Sequence, residues 1–291
     1  MPEIKTVDVG EVSLEYILTG PADRPAIAFV HGLGGNLSMF FNQEENFSKS
    51  FRVLLLSLRG HGGSSCPMPE TRESFTLDVM AKDVVSLLDR LNLPAVHWVG
   101  NSMGGLVGYQ MLKDAPERLL SLATFGIAAE LHYGPVVINL LTLFKDIMIK
   151  IKGYEGFCRM AGPISSKLPE TQEKVVEMAM ATPPAVIKYG HMNVASVNYL
   201  QVLAEANIPL LLIKCEHDRA INKALKSTLR VLEQSENAEV VEMTGVGHYP
   251  NLDRPDDFNS ILEGWYTRPL CSSRNNELPI NKDNKSWMLE G

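Results

Sequence analysis

The sequence has few cysteines and lacks any spacing typical of a metal site. The four cysteines are Cys66, Cys158, Cys215 and Cys271, and they lie far apart in a chain of 291 residues. Positions of this kind predict neither a zinc motif nor a disulfide framework. We therefore expect free thiols and no bound metal.

Basic clusters and long apolar runs are also missing. The net charge is −7 at pH 7, which argues against a nucleic-acid partner. The longest apolar stretch, residues 134–151, is interrupted by Lys145, Asp146 and Lys150, so we expect no membrane span and no stable membrane insertion. Residues 1–5 do not resemble the start of a secretory signal, and a cytoplasmic location is expected.

What the sequence does contain is an alternation of strand-like and helix-like segments. Apolar residues at helical spacing predict an amphipathic helix over 75–91, and short runs rich in β-branched residues predict strands. The predicted strands are 12–18, 26–30, 52–58, 95–99, 119–125, 208–214 and 239–243. Such an alternation favours an α/β fold with a mostly parallel sheet and helices on both faces.

Residues 127–204 interrupt this alternation, because they contain several helix-like pieces and no predicted strand. The predicted divisions are a core of residues 1–126 and 205–268, a helical cap of 127–204 and a polar, flexible tail of 269–291. The first helix of the cap carries many apolar residues, among them Leu141 and Phe144. We expect these side chains to form an apolar wall of the substrate pocket.

The most informative motif is Gly100-Asn101-Ser102-Met103-Gly104. A predicted strand runs into it, and a predicted helix runs out of it and ends before Pro116. A G-x-S-x-G sequence between a strand and a helix is typical of a nucleophile elbow, a turn so sharp that the serine is presented at the end of the sheet. Ser102 is therefore the candidate nucleophile.

A serine nucleophile needs a base within hydrogen-bond reach and a carboxylate that orients this base. Both residue types follow Ser102 in the chain, each after a predicted strand. His248 lies in a loop with neighbouring glycines and is the candidate base. Asp218 is the candidate acid because it lies furthest from the end of its strand, and Glu216 is the alternative.

Acyl transfer also needs N–H donors that face the oxyanion. The N–H of Met103, at the start of the predicted helix, is one candidate, because the helix dipole favours negative charge there. The N–H of Leu33, in the loop after the strand 26–30, is the second. His31 lies in the same loop, and we predict that it orders the loop by hydrogen bonding.

These motifs resemble those of the α/β-hydrolase fold family over about residues 12–265. The matching segments are the oxyanion loop at His31-Gly32, the R-G-x-G-x-S turn at 59–64, the elbow at 100–105, the acid at Asp218 and the base at Gly247-His248. Two positions depart from the family pattern. Ser57 stands where the family usually has Asp, and Cys215 stands where it usually has Gly.

The resemblance implies an eight-stranded α/β-hydrolase sheet with a helical cap, and hydrolysis of carboxylic esters, lactones, thioesters or amides without a cofactor. We expect a serine hydrolase of a small to medium, moderately apolar ester or lactone, which acts as a monomer or homodimer. The residues expected to border the substrate are His31, Gly32, Asn101, Leu141, Phe144 and Tyr249.

Other functions occur in the same fold family. Epoxide hydrolases and haloalkane dehalogenases of this family use an Asp nucleophile, which Ser102 excludes. Hydrolysis of a carbon–carbon bond in dienoate diketones is an alternative, because 100–105 resembles the elbow of that group, although 33–36 lacks the proline of its oxyanion loop. A ligand-binding relative with little turnover is the non-enzymatic alternative.

Overall fold

Eight strands form one sheet in residues 2–268, which are the residues described by the computed structural model. The predicted tail, 269–291, lies outside the described residues. The strands of the sheet are β1 (Lys5–Asp8), β2 (Ser13–Thr19), β3 (Ala26–Val30), β4 (Arg52–Leu56), β5 (Val96–Asn101) and β6 (Leu119–Phe125), followed after two short strands, β7 (Glu130–His132) and β8 (Ser196–Asn198), by β9 (Leu210–Cys215) and β10 (Ala238–Met243).

The helices separate the strands along the chain. Within the described residues they are α1 (Phe41–Phe47), α2 (Leu77–Arg90), α3 (Met103–Asp114), α4 (Pro135–Cys158), α5 (Ala161–Ser165), α6 (Pro169–Met180), α7 (Pro184–Val194), α8 (Leu200–Ala204), α9 (Arg219–Leu232), α10 (Pro250–Asp253) and α11 (Pro255–Tyr266). Several begin on a proline, such as α4, α6 and α7. Proline is favoured at this position because the first N–H of a helix has no partner inside it.

The strand order places the ends of β3 and β5 side by side. In the sheet the order is β1-β2-β4-β3-β5-β6-β9-β10. β2 is antiparallel to both of its neighbours, whereas the other six pairing strands, β4, β3, β5, β6, β9 and β10, run parallel to one another. The chain passes from β3 to β4 on one side and returns to β5 on the other, and the crevice at such a switch point is where sheets of this class bind ligands.

The core lies on both faces of the sheet because the central strands are apolar throughout. In β3, Ala28 and Val30 pack with Leu106 of α3 and Val84 of α2. The alternate residue, Phe29, points to the other face and packs with the helices α1 and α11 there. Since successive residues of a strand point to opposite faces, burial of every β3 side chain requires helices on both. The predicted α/β fold with an eight-stranded, mostly parallel sheet is confirmed.

The segment between β6 and β9 differs from its prediction in one respect. Helices α4 to α8 lie there as expected, but β7 and β8 pair antiparallel, with Leu131 opposite Val197. The two short strands join the beginning of the segment to its end. Three-residue strands are too short for a detectable alternation of apolar and polar residues, so the prediction that this segment contains no strand was wrong.

Candidate active site

Ser102 occupies a strained turn directly after β5. Its backbone has φ 48° and ψ −114°, which is unfavourable for a residue with a side chain and costs on the order of 1–3 kcal/mol. The Ser102 N–H donates to the carbonyl of Phe125 at the end of β6, at 2.9 Å. Helix α3 begins at the next residue, so the serine is held between a strand end and a helix start.

This turn is possible because α3 approaches the end of β3 very closely. A Cβ atom built on Gly104 would collide with the carbonyl oxygens of Val30 and His31. The indole N–H of Trp98 donates to the Gly104 carbonyl at 3.0 Å, which fixes the first turn of α3 against β5. A larger residue at 104 would push the helix away and release the Ser102 backbone from its strained conformation.

The structure brings Asp218 and His248 into direct contact. Asp218 Oδ2 lies 2.6 Å from His248 Nδ1, and the carboxylate is buried while the imidazole is half-buried. Asp218 also caps α9, since its Oδ1 accepts the N–H of Ile221 at 3.4 Å. Glu216 is exposed and accepts the N–H of Gly245 at 2.8 Å instead.

His248 and Ser102 are connected to the same strand ends. The side chain of Asn101, the residue before the serine, donates to the His248 carbonyl at 3.2 Å. Gly126 follows the Phe125 carbonyl that binds the Ser102 N–H, and a Cβ atom built on Gly126 would lie only 3.0 Å from Cε1 of the His248 ring. Because Nδ1 faces Asp218, Nε2 is the ring nitrogen that remains for a serine hydroxyl.

The loop that carries His248 is anchored by residues that the sequence did not single out. The His248 N–H donates to the carbonyl of Ser165, at the end of α5, at 2.8 Å. The Asp253 carboxylate accepts the Gly247 N–H at 2.8 Å and the Ser166 hydroxyl at 2.5 Å. The sequence carries no signal for these contacts, because Ser166 and Asp253 lie in different segments with no shared motif.

His31 orders the candidate oxyanion loop. Its Nε2 accepts the Leu58 N–H at 3.0 Å, so the hydrogen is on Nδ1, which donates to the Gly32 carbonyl at 2.7 Å. Burial and the neighbouring His61 ring lower the pKa of His31 well below its usual value, and the imidazole is neutral. The Gly35 N–H closes the turn by donating to the Gly32 carbonyl at 3.0 Å.

The two candidate oxyanion donors lie on either side of the crevice. Met103 is the first residue of α3, where a helix leaves its N–H groups without intrahelical partners. Leu33 is half-buried, and its side chain lies 2.5 Å from a Cβ atom built on Gly190 of α7. Ile187 of the same helix lies 3.1 Å from a Cβ built on Gly34. Helix α7 therefore covers the candidate oxyanion loop, a contact that the sequence did not predict.

The residues predicted to border the substrate are distributed unevenly. Gly32 and Asn101 are in contact at the crevice, since a Cβ built on Gly32 would lie 2.6 Å from Asn101 Oδ1. Tyr249 is buried with its ring edge-on to His248, at 5.0 Å between centroids, and burial together with Asp218 raises its pKa to about 12. Leu141 and Phe144 lie on α4 and are exposed to solvent.

The family usually has a carboxylate at position 57, next to the turn at 59–64. In this chain position 57 is serine, and the carboxylate of Glu15 in β2 takes its place. Ser57 donates its hydroxyl to Glu15 Oε2 at 2.7 Å, and the Gly63 N–H donates to the same oxygen at 2.9 Å. Nearby, the buried Arg59 forms a bidentate ion pair with Asp83, with N···O distances of 2.6 and 2.8 Å. The carboxylate that the family supplies at 57 is thus provided by β2.

The second departure, Cys215, is a buried thiol at the end of β9, and burial raises its pKa. Cys66, Cys158 and Cys215 are free, and Cys271 lies outside the described residues. Among residues 2–268, no cluster of three His, Cys, Asp or Glu side chains is arranged to hold a metal ion. In the same range, no helix is long and apolar enough to cross a membrane.

Ser102, Asp218 and His248 follow the carboxyl ends of the parallel strands β5, β9 and β10, an arrangement typical of α/β enzymes. The family model described as "alpha/beta hydrolase fold" matches residues 25–255. Because this match covers most of the chain, the protein belongs to the α/β-hydrolase fold family.

Similar proteins span nearly the whole chain. The 3-oxoadipate enol-lactonase 2 of Acinetobacter baylyi is 29% identical over 274 residues, which cover 90% of this chain and 96% of that protein. The enol-lactonase from Burkholderia xenovorans LB400 has a TM-score of 0.78 at 23% identity, covering 91% of this chain and 100% of its own. A thermophilic esterase from Thermogutta terrifontis has a TM-score of 0.78 at 21% identity, covering 91% and 98%. The two structural similarities concern the fold.

Proposed function

We propose that this protein hydrolyses a carboxylic ester or lactone of a small to medium, moderately apolar molecule through an acyl-enzyme at Ser102. The carrying observation is the contact of 2.6 Å between Asp218 and His248, in a loop hydrogen-bonded to the residue that precedes the strained Ser102. In this proposal Ser102 is the nucleophile, His248 the base and Asp218 the residue that orients it.

The enzyme class follows from the family and from the relatives that span nearly the whole chain. The protein is a hydrolase that acts on ester bonds, because it belongs to the hydrolase family and its relatives over nearly full length include an enol-lactonase. The particular ester or lactone is part of the proposal.

In the first step His248 Nε2 takes the proton of Ser102 while Oγ attacks the carbonyl carbon of the substrate. Asp218 holds the imidazole by its Nδ1 and stabilises the imidazolium that forms. The tetrahedral intermediate collapses when His248 gives its proton to the leaving alcohol or ring oxygen. The acyl group then remains on Ser102.

The N–H groups of Leu33 and Met103 stabilise the oxyanion of this intermediate. Met103 adds the positive end of the α3 dipole, and fixed donors of this kind contribute about 2.7–4 kcal/mol each in comparable sites. The neutral His31 keeps the Leu33 loop in place through its hydrogen bonds to Gly32 and Leu58. In the second half-reaction, water activated by His248 releases the acid.

We further propose that residues 127–204 act as a cap. The contact of Ile187 and Gly190 with the oxyanion loop supports this, because it sets an apolar helix face next to the reacting carbonyl. The side chain of Ile187, with that of Tyr249, favours a moderately apolar acyl or alcohol group. The cytoplasmic location and the monomer or homodimer state stay predictions.

The test is a substrate panel combined with labelling of the serine. The panel contains p-nitrophenyl esters of graded acyl length, lactones and a dienoate diketone, and a fluorophosphonate probe is followed by mass spectrometry. We expect turnover of esters or lactones, an adduct on Ser102, and a loss of about four orders of magnitude or more in kcat for Ser102→Ala. Ser260→Ala on the distant α11 is the control.

Two results would overturn the proposal. Turnover of the dienoate diketone alone would assign the site to carbon–carbon bond hydrolysis. An unlabelled Ser102, together with no turnover of any substrate in the panel, would favour a ligand-binding protein.

A further inference from the structure

Helix α4 exposes a stripe of large apolar side chains to solvent. The stripe consists of Val136, Leu140, Leu143, Phe144, Ile147 and Ile151. Three of them are exposed by 60% or more of their surface: Val136 by 70%, Leu140 by 60% and Ile151 by 69%. Single exposed apolar residues are ordinary, but a large contiguous set is typical of a surface that binds a protein, a membrane or a ligand.

The stripe lies on one face of the helix. With a rotation of about 100° per residue, its six positions fall within an arc of about 100°. The opposite face, which meets the rest of the protein, carries Ile138, Thr142 and Lys145, and of these only Ile138 is buried. A helix of a soluble protein normally turns its apolar face inward, so the outward face of α4 requires a different explanation.

The charges around the stripe are predominantly positive. Lys150 lies beside one edge of the apolar arc. Lys152 lies about 80° beyond the other edge, past the exposed Val137 and Leu141, and both lysines are exposed. Residues 135–152 contain three lysines and one aspartate, but Lys145 lies on the opposite face, so Lys150 and Lys152 are the two exposed cations of this segment in a chain whose net charge is −7. The aspartate, Asp146, is already paired with Lys188 of α7 at 3.0 Å.

We propose that the α4 stripe docks on the surface of an anionic lipid bilayer, with the helix lying in the plane of the interface. An apolar face bordered by lysines is the pattern of helices that bind in this way, since the apolar side chains enter the acyl boundary and the ammonium groups meet anionic headgroups. This is surface binding and not insertion, because α4 is not a membrane-spanning helix.

A second copy of the chain fits the stripe less well. In a symmetric pair the same patch faces itself, so Lys150 and Lys152 of one copy would lie near those of the other. No unpaired carboxylate on 135–152 would compensate them, because Asp146 is bound to Lys188. Anionic headgroups supply the missing negative charge.

The experiment is co-sedimentation of the full chain with vesicles of phosphatidylcholine alone and of an equimolar mixture with phosphatidylglycerol. We expect binding to the anionic vesicles that exceeds binding to the neutral ones by about tenfold or more and weakens with added salt. Leu140→Glu/Ile147→Glu should lower this binding by about tenfold or more. Lys150→Glu/Lys152→Glu should also lower it, by about tenfold or more.

Matched controls separate the stripe from general effects. Ile164→Glu replaces an apolar residue of α5 that is 82% exposed, and Lys223→Glu/Lys226→Glu makes the same charge change on α9; both should retain binding. The substituted positions point into water, so the variants should melt as the parent does by circular dichroism.

Three outcomes would overturn the proposal. They are equal binding to neutral and anionic vesicles, retention of binding by Leu140→Glu/Ile147→Glu, and failure of the parent protein to bind either vesicle. If the parent also dimerises in sedimentation analysis and Leu140→Glu/Ile147→Glu abolishes the dimer, the stripe is instead an interface between copies of the chain. The readout is binding, so it stands apart from the hydrolase assay.

Discussion

Asn101 Nδ2 donates a hydrogen bond to the main-chain carbonyl of His248 at 3.2 Å, across 147 positions of sequence. The residue before the proposed nucleophile therefore holds the residue that serves as the proposed base. Asn101 is fully buried, and its Oδ1 has no hydrogen-bond partner within residues 2–268. We infer that Asn101 is a positioning residue, whereas the sequence favoured a contact with substrate.

Replacement of Asn101 by Ala should therefore act on kcat. Loss of one hydrogen bond of about 1 kcal/mol predicts a decrease in kcat of about fivefold with little change in KM. Steady-state kinetics with a p-nitrophenyl ester measures both constants, and Asn193→Ala on α7 is the control of the same type. An increase in KM at constant kcat would instead assign Asn101 to substrate binding.

The two carboxylates after β9 should differ sharply in effect. Asp218→Asn removes the charge that orients and stabilises the imidazole, and a decrease in kcat of about three to four orders of magnitude is expected from comparable triads. Glu216→Gln alters only the contact with Gly245 and should change kcat by less than about threefold. Steady-state kinetics with the same p-nitrophenyl ester measures kcat for both variants.

The reverse ranking would show that the His248 loop rearranges on substrate binding. Equal losses in Asp218→Asn and Glu216→Gln, without loss of folding by circular dichroism, would show that both carboxylates hold the loop and neither is specific to the imidazole.

The sequence predicted the fold well because the central strands are short apolar runs and helices such as α2 have a clear apolar periodicity. The strand at Ala26–Val30 was predicted with its observed bounds, since five consecutive apolar residues fit only a buried strand in this setting. The edge strand at Lys5–Asp8 has exposed and charged side chains, and it gave no signal. Its pairing with β2, which begins after only four intervening residues, rests on backbone hydrogen bonds and not on apolar side chains.

The candidate site was likewise predicted only where local sequence patterns determine it. The elbow at Ser102 and the order of acid and histidine are local patterns, and they can be read from the chain. The anchors of the histidine loop, Ser165 and Asp253, are brought together only by packing of α5 on the core. The place of Leu141 and Phe144 was also beyond the sequence, because an amphipathic pattern does not say which face of a helix meets the protein.

Glu15 should be needed to hold the turn at 59–64. Its Oε2 accepts both the Ser57 hydroxyl and the Gly63 N–H, and Glu15→Ala leaves these donors without a partner. We expect the free energy of unfolding to fall by about 1–3 kcal/mol, as measured by urea denaturation.

The departure at Ser57 makes this prediction testable by compensation. Ser57→Asp returns the carboxylate that the family usually has, so it should recover at least half of the stability lost in Glu15→Ala. In the parent background the same substitution should destabilise, because two carboxylates would then share one site. A double-mutant cycle without coupling would contradict this account.

Buried histidine should make the protein less stable in mild acid. Burial lowers the pKa of His61 to about 4, below the usual value of about 6.5, and its Nε2 has no partner within residues 2–268. The unfolded chain therefore takes up this proton more readily than the folded one. Stability is fully present above about pH 6.5 and is lost as the pH falls toward 4.

At pH 5 the loss attributable to His61 is on the order of 2 kcal/mol. Urea denaturation gives the free energy of unfolding of the parent and of His61→Gln at pH 7 and pH 5. The loss attributable to His61 is the pH-dependent change in the parent minus that in the variant. His61→Gln should lose less stability between the two pH values, because glutamine keeps a donor for the Arg59 carbonyl and does not titrate. An equal loss of stability between pH 7 and pH 5 in His61→Gln and in the parent would contradict the assignment.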